Sequence, residues 1–130
     1  MKSELRQLFL FLLAEILVGA NAGITFSVVE SRYAAAVWTG FCFLALGLAL
    51  VFWSYRHKRW FLFGFAIVHT FVMSLPIWIT RVLTRSDEPL EFILGMPGPS
   101  VHRAASALYT FLIVITILEI AAIYLKKIKR

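Results

Sequence analysis

Four apolar runs, each about as long as a membrane is thick, take up almost the whole of this 130-residue chain. A hydrocarbon core of roughly 30 Å is crossed by about 20 apolar residues in a helix. Runs of that length fall at residues 8–29, 34–53, 61–80 and 104–125. With 61% hydrophobic and 15% charged residues, little sequence is left for a soluble domain. The expectation is an all-α integral membrane protein: a single domain over residues 1–130, folded as a four-transmembrane-helix up-down bundle.

The charges sit between the runs, and their distribution predicts an orientation. Lys2 and Arg6, then Arg56, Lys58 and Arg59, then Lys126, Lys127, Lys129 and Arg130 make nine of the thirteen Lys and Arg. With four spans these nine share one side. The other side holds Arg32, Arg81, Arg85 and Arg103, offset by Glu30, Asp87, Glu88 and Glu91. The positive-inside rule then puts both termini in the cytoplasm of a plasma or inner membrane. The same placement argues against nucleic acid as the partner, despite a pI near 9.9. The lone Cys42 has no disulfide or metal partner in sequence and reads as a packing residue.

Trp38 and Trp78 fall at the outer ends of the second and third runs, and Trp53 and Trp60 at their inner ends. Indoles favour the interface because one edge is polar. The first run also contains Ala20-Asn21-Ala22, the small-x-small pattern of a leader-peptidase site. Glu15 interrupts the apolar core that a leader needs, and apolar residues continue through Ile24, Phe26, Val28 and Val29. Glu15, Gly19, Ala22 and Gly23 share one helical face, which lets another helix approach closely. A retained first helix is therefore expected. Ala36, Gly40 and Gly47 offer a second small-residue face for a homo-oligomer or a membrane-protein partner.

Three titratable side chains fall inside runs: Glu15, His69 and Glu119. Counted at 1.5 Å per residue, each lies roughly 9–14 Å from the inner end of its span. A cluster of the three is geometrically open to this fold. A charge at a helix centre costs about 2.5–3.5 kcal/mol on insertion scales, and a glutamate avoids much of that by binding a proton. Two readings stand side by side. The groups serve as hydrogen-bonding glue between helices, or they form a proton relay or cation site. Haem is disfavoured because no two of His57, His69 and His102 share a height, and no metal or other cofactor is expected.

The longest connection, TRSDEPLEFILGMPGPSVHR at residues 84–103, exceeds an ordinary helix–helix loop. Asp87 as cap and Gly95 as stop predict a short interfacial helix over 88–94. Ser100 is read as the cap of the fourth helix. Its start, with Arg81, Arg85, His102 and Arg103 nearby, makes a candidate anion or lipid-headgroup site. The alternative is that Arg85 and Arg103 pair with Asp87, Glu88 and Glu91. Pro76 removes one hydrogen bond and predicts a kink in the third helix.

The LAEI around Glu15 resembles the first helix of the small multidrug resistance transporters, over about one helix in four. That resemblance implies a glutamate that binds protons and cationic substrates. The strong Lys/Arg asymmetry and the later helices depart from that pattern. The leading expectation is a non-enzymatic assembly, accessory or interaction protein. A small proton-coupled transporter using Glu15, His69 and Glu119 comes second, and a lipid-directed enzyme or headgroup binder at the outer mouth comes third. Glu15 lining an open cavity favours transport, whereas Glu15 sealed among side chains favours glue.

Overall fold

In the computed structural model, residues 2–85, 87–88 and 90–129 are described, except for the side chains of Lys2, Lys127 and Lys129. Helix α1 spans Lys2–Val28 and α2 spans Arg32–Arg56. The third long helix has three parts: α3 over Trp60–Ile67, a π-helical segment over Val68–Ser74, and α4 over Leu75–Thr84. A two-residue hairpin, β1 Phe92–Ile93 and β2 Met96–Pro97, precedes α5 at Gly98–Lys129. All four helical stretches are long and apolar enough to cross a membrane, and they fit a small membrane protein. Large apolar side chains such as Leu10, Leu17, Phe52, Phe61 and Leu118 point outward. In water that surface would drive association; hydrocarbon solvates it.

α1 packs against α2 and α5, α2 packs against the third helix, and α5 packs against α3 and the π segment. Among the described residues the backbones of α1 and the third helix lie diagonally apart, as do those of α2 and α5, while side chains such as Phe43 and Tyr109 meet across the middle. The two ends of this arrangement differ. One end, here the basic end, carries the start of α1, the α2–α3 turn and the end of α5. Leu8, Leu50, Trp53, Leu62, Ala66, Leu112, Ile115 and Ile123, drawn from all four helices, form its core. The other end carries the hairpin, where Ile93 and Leu90 press on Val101, Met73 and Ile77.

The turn at the basic end is closed by chemistry particular to this chain. His57 stacks on Trp53 with centroids 4.4 Å apart, and Lys58 takes the left-handed conformation that ends a helix. Arg59 then donates to Glu4 at 2.6 Å and to Glu119 at 3.0 Å, tying α1 and α5 to the turn.

The third connection departs from the expected interfacial helix. Leu94 and Gly95 both have positive φ, which makes the two-residue turn of a twisted hairpin. Gly95 accepts a left-handed conformation equally well as a helix stop or as a hairpin turn, so its presence alone did not distinguish them. Gly98 seals the hairpin by donating to Glu91 O at 2.7 Å, at a spot where a Cβ would strike the Leu90 carbonyl. Helix α5 begins there, so Ser100 lies inside its first turn and is not its cap. Asp87 caps a different helix from the one expected. Its carboxylate accepts from Ser31 Oγ at 2.8 Å and from the Tyr33 amide at 2.9 Å, at the start of α2. Ser31 itself accepts from Ala34 N at 3.1 Å. These donors hold the Asp87 carboxyl below the ordinary carboxylate range, the Tyr33 amide contributing most.

Candidate functional site

Pro76 explains the break in the third helix. It has no N–H, and its ring collides with the carbonyl four residues back. The preceding turn widens instead, and Leu75 N bonds to Thr70 O, five residues away. In an α-helix residues 69 and 74 would point about 140° apart. Hydrogen bonding five residues apart brings them toward one face, and His69 and Ser74 both line the same cavity.

That cavity has a volume of about 440 Å³ and takes walls from all four helices. Thr39, Gly40 and Phe43 come from α2, Gly19, Ala22 and Phe26 from α1, and Ser106, Tyr109 and Thr110 from α5. Small residues on α1 and α2 keep the space open. Gly40 receives the Trp78 ring, where a Cβ would overlap it, and Trp78 donates its indole N–H to Val37 O at 3.0 Å. Gly47 receives Thr70 in the same way, about two turns deeper. Both glycines of α2 therefore make close contacts inside the chain.

At the deep end, His69 is 3% exposed. Its ring meets Tyr109 at 5.2 Å and Phe43 edge-on at 6.1 Å, and those two rings form a T at 4.9 Å. Among the described residues the His69 side chain takes part in no hydrogen bond to protein. At the hairpin end the cavity reaches Arg81 and His102. Arg81 is buried and donates to Glu88 O at 2.7 Å, with Arg32 and Asp87 close by. Arg85, Ser100 and Arg103 are exposed and line none of this cavity. Of the five residues read as an anion site, two therefore face the cavity.

Glu15 lies elsewhere. It is fully buried, and its carboxyl meets Thr116 Oγ1 at 2.9 Å. The Thr116 hydroxyl also reaches Leu112 O at 2.9 Å. One hydroxyl proton serves two acceptors, so a protonated carboxyl satisfies both contacts. Among the described residues the other carboxyl oxygen has no hydrogen-bond partner. Tyr109 OH donates to the Glu15 backbone carbonyl. Glu119 is held by Arg59 one turn nearer the basic end. The three intramembrane groups thus occupy three separate settings: Glu15 with Thr116, Glu119 with Arg59, and His69 among aromatic rings.

The tryptophans divide as well. Trp38 and Trp60 are exposed, whereas Trp53 is buried and donates to Gln7 Oε1 at 2.7 Å. Trp38 donates to Asn21 Oδ1 at 3.0 Å, linking α2 to α1. Tyr109, Ser74 and Phe43 were not singled out from sequence, and Trp78 was read there as an interfacial tryptophan and not as a cavity wall. The nearest signal was Pro76, which marks where the α register must give. Neither protein-family models, nor curated proteins, nor solved structures yield a match to this chain.

Proposed function

We propose that the chain is a non-enzymatic membrane protein that holds an amphipathic molecule, drawn from the bilayer, in the cavity of its hairpin half. Its four helices form an up-down bundle in a plasma or inner membrane, with the basic end in the cytoplasm. The nine Lys and Arg at that end support this orientation. The cavity carries the functional reading. Its volume lies within the range of about 300–1,000 Å³ usual for ligand sites, and apolar walls enclose a few polar groups. The transport reading has less support. Glu15 is shut off from the cavity, and Glu119 is engaged by Arg59. Both act as links between helices, which is the glue reading of these groups.

The test fills the cavity. Ala105→Phe from α5 and Ala36→Phe from α2 each place a ring in it. Protein purified in mild detergent and released in a native mass spectrometer should carry a bound apolar molecule as wild type and lose it in both variants. Equal retention by wild type and by folded variants would remove this function.

A further inference from the structure

The cavity's exposed lining residues identify its entrance. Phe26 on α1 and His102, Ser106 and Thr110 on α5 are exposed, whereas the lining residues of α2 and the third helix are buried or half-buried. The cavity therefore opens sideways between α1 and α5, toward the bilayer. Below the entrance the two helices meet again, with Gly19 against Tyr109.

The innermost groups are polar. His69 presents ring nitrogens that take no protein partner, and Ser74 beside it likewise makes no side-chain hydrogen bond among the described residues. A buried polar group without a partner costs about 1–3 kcal/mol, so a hydrocarbon tail is the wrong thing to put against it. A charged headgroup fits no better, because Arg81 lies at the opposite end of the cavity and, among the described residues, no charged side chain lines the cavity beside His69. Around His69 stand the rings of Phe43 and Tyr109, with Trp78 on the wall, and aromatic walls favour a flat ring. Resting on the proposed binding function, we infer that the ligand is a neutral, ring-headed lipid of the quinone or phenol class. It enters sideways and head-first, its ring oxygens bonded to His69 and Ser74 and its tail leaving between α1 and α5.

Three probes and four variants test this. Retention by protein-loaded over empty phosphatidylcholine nanodiscs is measured for a decyl-substituted benzoquinone, for decylbenzene and for oleate. Wild type should retain the quinone best. His69→Phe and Ser74→Ala should each weaken quinone retention, His69→Phe by about tenfold, the scale of one lost hydrogen bond in a dry site. Decylbenzene should be indifferent to both changes. If His69→Phe does not fold, Ser74→Ala and His69→Leu carry the comparison, since neither keeps the hydrogen-bonding group it replaces. Quinone retention unchanged in these variants, or oleate held more tightly than quinone, overturns the head-first assignment. Ala105→Phe separates the two levels: if it abolishes retention while His69 and Ser74 variants do not, the cavity binds but the ring assignment is wrong. If no variant matters for any probe, the cavity function fails with it.

Discussion

The two halves of this molecule use the same four helices differently. At the basic end, large side chains from every helix interlock around Leu50 and Leu62, and Arg59 fastens two helices to the turn between the other two. At the hairpin end, glycines and alanines face inward, one helix widens into a π turn, and about 440 Å³ is left between the walls. In lipid, helix association draws on packing and hydrogen bonds, because hydrocarbon is as apolar as the core. The packed half therefore carries cohesion, and the open half is free to carry a ligand.

A pair of substitutions should break this contrast most visibly. Leu50→Ala leaves a hole in a filled core and should cost about 2 kcal/mol, the low end of the soluble range, since lipid supplies little transfer term. Ala105→Leu adds volume where space exists and should change stability by less than about 0.5 kcal/mol. Reversible unfolding in mixed micelles measures both, and equal costs would mean that the two halves are packed alike.

A smaller effect concerns the link between the halves. Glu15→Gln keeps an acceptor for Thr116 and should alter stability by no more than about 0.6 kcal/mol, the average for one interhelical contact in a membrane. Proton-dependent uptake of an organic cation by proteoliposomes should be absent in wild type and mutant alike. Uptake by wild type that disappears in Glu15→Gln would restore the transport reading.

The smallest effect lies outside the lipid. The Asp87 carboxyl is held below its ordinary range by the Ser31 and Tyr33 donors. A depressed carboxylate stabilises the folded form above its unfolded pKa, and the contribution is lost as pH falls through the folded value. The hairpin should thus loosen from α2 only in acid below the usual carboxylate range. Exchange at the Tyr33 amide, compared between wild type and Asp87→Asn, should converge at low pH and differ at neutral pH. No difference at neutral pH would show that the cap contributes nothing.

How legible was this in sequence? The four helices were, to within a few residues at most ends, because span length and hydropathy answer to bilayer thickness alone. The third connection was misread, since Asp87 and Gly95 suit a helix as well as a hairpin and only the partner of Asp87 decides between them. Among site residues, Glu15, His69 and Glu119 stood out because ionisable groups are rare in apolar runs. Their partners did not stand out: Thr116 and Arg59 lie 101 and 60 residues away from Glu15 and Glu119. Tyr109 and Phe43 look like any other apolar residues of their helices.

Local composition thus determined that this chain has four stretches able to cross a membrane and which three titratable side chains lie within them. Tertiary structure decided that the three never meet, that Asp87 caps α2, and that His69 and Ser74 share a cavity. The physical reason is one of range. Hydropathy and helix formation act between a residue and its near neighbours or the lipid, so they can be read along the chain. Contacts between helices, and a register change forced by one proline and accommodated by glycines on another helix, depend on where whole helices come to rest.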